Sequence, residues 1–149
     1  MKKALIVFGT TTGNTEDMAA MIARSLRESG LEAETRNVVQ TAVEDLTSGY
    51  DLVMLGCPAY GDDSVELQDD FAEFVEKLEG RALTGLKVAV FAPGDSSYEH
   101  FCGSVDFLEE KIGQLGGVIL IDGLKVDGAP GDASDEIADW AKSAAALFR

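Results

Sequence analysis

Two cysteines, three prolines, one histidine and one tryptophan are all that this 149-residue chain has of those four types. Cys57 and Cys102 lie far apart and form no C-x-x-C pair, so neither a disulfide scaffold nor a dithiol motif is expected, and both thiols are read as reduced. No apolar run approaches the roughly 18–20 residues of a membrane span, and none forms the core of an export signal. A cytoplasmic protein is therefore expected. The acid pairs Asp62-Asp63 and Asp69-Asp70 have no His or Cys beside them, so no metal site is expected. Positive charge is scarce as well. Lys and Arg number 12 against 27 Asp and Glu, a net charge of −15. Such a field repels nucleic acid and anionic membranes.

What is present suits a single domain. A mass of 15.8 kDa, with 46% hydrophobic and 26% charged residues, can bury a core of ordinary size, and residues 1–149 read as one unit. No internal repeat or linker divides them. The acids are uneven: residues 62–79 carry a net −7 and residues 95–110 a net −5, together −12 of the −15. That asymmetry points to partners with basic patches, steered toward one region.

Ala4 to Phe8 is an apolar run followed by a helical pattern with Met18, Met21, Ile22 and Leu26 on one face. Residues 31–37 alternate weakly, as an edge strand does, and a short helical piece is expected over 42–46. Tyr50 to Cys57 and Leu86 to Ala92 are nearly continuous apolar stretches, the mark of strands buried on both faces, each expected to stop at the following Pro58 or Pro93. Helical faces follow at Phe71, Phe74, Val75 and Leu78, and at Val105, Leu108, Ile112 and Leu115. A last strand, Val118 to Ile121 and Leu124 to Val126, is interrupted at Asp122-Gly123. Ser134 is a candidate cap for a final helix with Ile137, Trp140, Ala141, Ala144 and Leu147 inward. Five strands alternating with helices predict an open parallel sheet covered on both faces. Ligands of such sheets bind beyond the carboxyl ends of the strands, where the loops Gly9–Thr15, Pro58–Glu66 and Pro93–Gly103 should meet.

The first loop runs strand, glycine, four threonines, helix. Thr10, Thr11, Thr12, Gly13, Asn14 and Thr15 would offer hydroxyls and helix-end N–H groups to a phosphate. No Lys or Arg lies between Lys3 and Arg24, and Asn14 stands where a nucleoside-triphosphate loop has its lysine. The Gly9 to Gly13 spacing does not make G-x-G-x-x-G either. One terminal phosphate fits. The second loop, Pro58-Ala59-Tyr60-Gly61-Asp62, and the third, from Pro93-Gly94-Asp95 through Tyr98 to Phe101-Cys102, each bring a tyrosine among small polar residues. Two aromatics with backbone N–H groups between them would clamp a flat heteroaromatic ring. A planar ring joined to one phosphate is flavin mononucleotide, FMN.

These stretches make the chain recognisable. Its T-T-G-N-T loop, its Y-G-D-D and E-L-Q-D-D-F run and its G-D-S-S-Y-E-x-F-C-G resemble the short-chain flavodoxins, most closely those of sulfate-reducing bacteria, over the whole length. The resemblance implies an α/β, three-layer, flavodoxin-like fold: an open five-stranded parallel sheet of strand order 2-1-3-4-5. It implies a monomeric, low-potential one-electron carrier with non-covalently bound FMN, working mainly between semiquinone and hydroquinone. Its partners would be basic-patched redox proteins such as reductases, hydrogenases or cytochromes. Residues 10–15 would hold the phosphate, Tyr60 and Tyr98 would flank the ring, and Asp95 to Cys102 would bond its pyrimidine edge. The Gly61–Asp62 peptide would turn its carbonyl toward flavin N5, a turn that glycine permits. The acids nearby would disfavour the reduced anion and lower the second potential.

Where near relatives commonly have Ser-Thr-Trp, this chain has Pro58-Ala59-Tyr60, losing two hydroxyls and shrinking one aromatic. FMN binding weaker than in a P58S/A59T/Y60W triple variant is expected; a fluorescence titration placing the two within threefold would count against it. Relatives also tend to have a cysteine at Pro93. Phosphoryl-accepting receiver domains share the topology but need acids where Gly9 and Cys57 stand. An FMN-dependent quinone reductase, or a flavoprotein dedicated to one activating partner, are the other readings; rapid NADPH oxidation would mark the first and a narrow partner range the second.

Overall fold

Alternate residues of the central strands go to opposite sides of one sheet, and that alternation builds two separate cores. The computed structural model describes residues 2–9, 13–57, 59–60, 66–67, 69–78, 80, 82–94, 103–127 and 130–147, with the backbone alone at 59, 60, 66, 67, 69 and 94. β1 (Lys3–Phe8), β3 (Leu52–Gly56) and β6 (Lys87–Gly94) form the centre. Leu5, Val7, Val53, Leu55, Val88 and Val90 face one core, completed by α2 (Asp69–Leu78) and α3 (Gly103–Gln114). Ile6, Phe8, Met54, Ala89 and Phe91 face the other, completed by α1 (Asn14–Glu28) and α4 (Ser134–Ala146). A strand flanked by helices on both faces has no polar side, which is why these stretches read as unbroken apolar sequence.

The main sheet is parallel: β2 (Glu32–Asn37), β1, β3 and β6 lie in that order, with the last position shared by β7 (Val118–Ile119) and β8 (Leu124–Asp127), both paired to β6. Counting that split strand once gives the expected order 2-1-3-4-5. The break has a cause. Between the two pieces the last strand holds two more residues than β6, a bulge anchored by Leu120 N–H to Val88 O at 2.9 Å and by Trp140 Nε1–H to Asp122 O at 2.8 Å. Trp140 also packs edge-on against Phe91, at 6.2 Å between ring centroids.

Four expectations are corrected. β6 does not stop before Pro93 but runs through it to Gly94, with Pro93 opposite Val126. Phe91 O accepts from Cys57 N–H, so residue 91 faces β3; two residues on, Pro93 faces the same side, past the last β3 residue paired to β6. Its missing N–H therefore costs no ladder bond. A second, two-stranded antiparallel sheet, β4 (Ala59–Tyr60) with β5 (Glu66–Leu67), occupies what reads as a plain polar loop. Ser134 is the first residue of α4, preceded by Ala133 as the N-cap, and caps nothing. Leu147 is exposed rather than inward.

β2 (Glu32–Asn37) is the sheet edge, and its exposed charges protect it from pairing with another chain. Two 3-10 turns, Val38–Gln40 and Val43–Thr47, lead on to β3. Tyr50 Oη donates to Glu34 Oε2 at 2.5 Å, Arg36 Nη2 donates to the same oxygen at 3.0 Å, and Arg36 Nη1 donates to Asp45 Oδ2 at 3.0 Å. The tyrosine bond, then Arg36, holds the Glu34 carboxyl below its ordinary value against the opposing effect of burial. A carboxyl whose folded pKa is depressed stabilises the fold above its unfolded pKa, and that contribution fades as pH falls through the folded value. Tyr50→Phe is expected to move the Glu34 midpoint up toward 4.5 in a carboxyl-carbon NMR titration; an unmoved midpoint would refute the hydrogen bond's role.

Candidate functional site

β1 and β3 end level with Phe91 of β6, which runs three residues further. Phe8 pairs with Gly56, Gly56 with Phe91, Gly9 N–H donates to Gly56 O at 2.9 Å, and Cys57 N–H donates to Phe91 O at 3.4 Å. The chain leaves this rim toward residues 10–12 after Gly9, residue 58 after Cys57 and residues 95–102 after Gly94. Backbone pairing alone thus launches the three segments singled out in the sequence from one edge.

The first segment is the best defined. Gly13 precedes α1 with φ +94°, a left-handed conformation that side-chain-bearing residues avoid, and Asn14 begins the helix half-buried. Thr15 is 1% exposed, and its Oγ1 has no hydrogen-bond partner among the described residues. A buried hydroxyl left unpaired costs about 1–3 kcal/mol. Helix N-termini also present N–H groups that lack intrahelical acceptors, together with a partial positive charge. An unpaired hydroxyl in the first turn of a helix, at the carboxyl rim of a parallel sheet, fits the phosphate of FMN without a cation. Thr10, Thr11 and Thr12 lie outside the described residues.

In the second segment, Ala59 and Tyr60 are held as a strand, Tyr60 opposite Glu66, so that residues 61–65 join β4 to β5. Pro58, Gly61 and Asp62 lie outside the described residues, as do the side chains of Ala59 and Tyr60. In the third, Pro93 and Gly94 end β6, whereas Asp95, Tyr98, Phe101 and Cys102 lie outside the described residues.

Two site-bordering residues have no signal in the sequence. Gly56 is one: an added Cβ would overlap the Phe91 ring. Ser104 is the other, its hydroxyl donating to Cys57 O at 2.5 Å with both residues buried. A lone glycine ending a strand and a lone serine starting a helix are both commonplace. Only long-range packing singles them out.

Acids line what is described of this side. Asp70, Glu73 and Glu76 on α2 and Asp106 and Glu110 on α3 are exposed, opposed by Lys77 on Glu73 at 3.6 Å and Lys125 on Asp106 at 3.1 Å. Such exposed pairs contribute little. Half-buried Glu109 accepts the Gly123 N–H; burial pushes its carboxyl above the ordinary value, and Asp106 and Asp122 add to that. A carboxyl raised on folding opposes the fold when charged, and the penalty lifts as pH drops through the folded pKa. Glu109→Gln, which keeps an acceptor for Gly123, is expected to raise the melting temperature at pH 7, with the gain shrinking toward pH 4. A gain independent of pH would show that charge is not its source. At the opposite end of the sheet, a cleft of about 280 Å³ is lined by Lys3, Ala4, Glu32, Ala33, Glu34, Ser48, Gly49 and Tyr50. It offers neither a helix N-terminus nor an unpaired buried hydroxyl.

A family model described as Flavodoxin matches residues 6–140. The chain is 46% identical over 140 residues to a flavodoxin of Maridesulfovibrio salexigens, covering 94% of each chain. It is 45% identical over 141 residues to a flavodoxin of Nitratidesulfovibrio vulgaris, covering 95% of each. Among solved structures it is similar to oxidised Flavodoxin 2 from Bacillus cereus, with a TM-score of 0.90, 34% identity and 99% coverage of both chains.

Proposed function

Because this chain belongs to the flavodoxin family, whose members bind FMN and transfer electrons rather than transform a substrate, we propose that residues 1–149 act as one FMN-binding unit, with the cofactor at the carboxyl rim of β1, β3 and β6. The observation that carries the placement is the buried, unpartnered Thr15 hydroxyl in the first turn of α1. Bound FMN supplies the one-electron chemistry. The chain's own residues bind it, orient it and set its energetics.

Thr10, Thr11, Thr12, Gly13, Asn14 and Thr15 hold the phosphate with hydroxyls and helix-end N–H groups. Anchored that way, the cofactor keeps its place without a lysine that would offset the acids near the ring. Tyr60 and Tyr98 cover the two faces of the isoalloxazine. Pro58 and Ala59 border it from the second segment. Pro93, Gly94, Asp95, Phe101 and Cys102 frame its pyrimidine edge from the third. The Gly61–Asp62 carbonyl would accept a hydrogen bond from N5–H of the flavin. Asp62, Asp95 and their acidic neighbours raise the cost of negative charge in the site, which makes the last electron the easier one to give away. With Ser-Thr-Trp replaced by Pro58-Ala59-Tyr60, the grip on FMN is looser than in relatives that keep those residues.

The chain exchanges electrons with redox partners. We assign it partners with basic docking patches, on the strength of the net charge of −15, and a monomeric state in the cytoplasm. Among the described residues no helix is long and apolar enough to cross a membrane. Titrating apo-protein with FMN and then reducing it stepwise at controlled potential tests the reading. One FMN per chain, two resolved one-electron steps and no NADPH oxidation by the pure protein are expected. A chain that stays colourless with excess FMN overturns it.

A further inference from the structure

Ser104 is the second residue of α3 and fully buried, yet its hydroxyl reaches 47 residues back along the chain to donate to Cys57 O at 2.5 Å. Cys57 is itself fully buried, and its N–H donates to Phe91 O at 3.4 Å. The residue is thus gripped twice, at its amide by β6 and at its carbonyl by α3. Residue 58 follows it directly, and residues 95–102 end directly before α3. One hydrogen bond therefore ties the start of the second site segment to the end of the third. Pro58 raises the stakes. Its nitrogen carries no hydrogen, so the Cys57 carbonyl is the sole hydrogen-bonding group of the Cys57–Pro58 peptide, and whatever orients that carbonyl orients the departing chain.

We propose that Ser104 is a positioning residue for the flavin ring: by holding the Cys57 carbonyl it sets the spacing between the two segments that cover the ring. This rests on the FMN reading above and names a residue outside the cofactor-contacting set. The phosphate end belongs to α1, on the other face of the sheet from α3, so Ser104 acts on the ring and not on the phosphate.

That separation makes the test selective. Ser104→Ala is titrated with FMN and with riboflavin, which has the ring but no phosphate, and the FMN-loaded variant is taken through a potentiometric titration. Both dissociation constants are expected to rise by the same factor, about tenfold, and at least one one-electron potential to shift. The proposal is overturned if both affinities stay within twofold of wild type with potentials unchanged, whatever the apo-protein's melting temperature does. A loss confined to FMN overturns it as well. Should the alanine chain fail to fold, Ser104→Cys, close in shape but a weak donor, must show the same paired rise or the proposal fails. A wild-type chain that binds neither ligand would sink the FMN reading itself, and this proposal with it.

Discussion

Thr15→Val weakens FMN binding by about tenfold to a hundredfold while leaving the apo-protein at least as stable as wild type. The two halves of this result come from one atom. In the chain without cofactor, Thr15 Oγ1 is buried and unpaired among the described residues, so replacing it with a methyl group of nearly the same size removes a desolvated polar group and leaves no cavity. In the proposed complex the same hydroxyl would donate to a phosphate oxygen, and a hydrogen bond to a charged group is worth about 1.5–3 kcal/mol, or about one to two powers of ten in affinity. Valine matches threonine in shape and in its branched rotamer restriction, so the helix itself changes little. Isothermal titration with FMN and with riboflavin, beside thermal melts of the apo-protein, checks both halves. Riboflavin affinity should not move. Equal losses for the two ligands would show that Thr15 acts through the fold, and unchanged FMN affinity would remove the phosphate from this helix end.

Gly56→Ala lowers stability by about 1–3 kcal/mol or more, an effect of overpacking rather than backbone strain. A Cβ at this position would sit within the Phe91 ring, which is fully buried and packed edge-on against Trp140. The ring has nowhere to go. A chain of this length loses about 2–4 °C in melting temperature per kcal/mol, so a drop of roughly 2–12 °C is expected in a thermal melt. Phe91→Leu in the same chain should return part of the loss, because a smaller side chain makes room for the methyl. If the double variant is no more stable than the two losses added together, the contact is not the cause. Gly13 offers the contrast: none of the described residues lies within 4 Å of a Cβ there, and its φ of +94° penalises alanine. Gly56 is held glycine by a neighbour, and Gly13 by its own backbone.

That contrast marks what can be read in a linear sequence. Burial on both faces forces an unbroken apolar run, so β1, β3 and β6 announce themselves in the residue pattern, and Met18, Ile22 and Leu26 announce the inner face of α1. The glycine-bounded threonine loop and the two tyrosine-bearing segments stand out for a similar reason: the phosphate cradle and ring stacking proposed for them would call for particular residue types close together in the chain. Pro93 misled because a proline's effect depends on which neighbour its nitrogen faces, and β3 pairs with β6 only as far as Phe91. The β4–β5 pairing was hidden because two-residue strands carry no period. Leu147 completes a helical pattern but lies past the last residue of α4, where it is more than half exposed.

The layered architecture, the order of its elements, the acidic character and the residue types offered at the loops are all written in local composition or short-range spacing. Only long-range packing shows that the Thr15 hydroxyl is buried and unpaired among the described residues, that Gly56 must stay small, and that Ser104 holds the Cys57 carbonyl. Those three facts arise between residues brought together by sheet pairing and helix packing. Contacts across 35 or 47 positions leave no trace in the neighbouring residues of either partner.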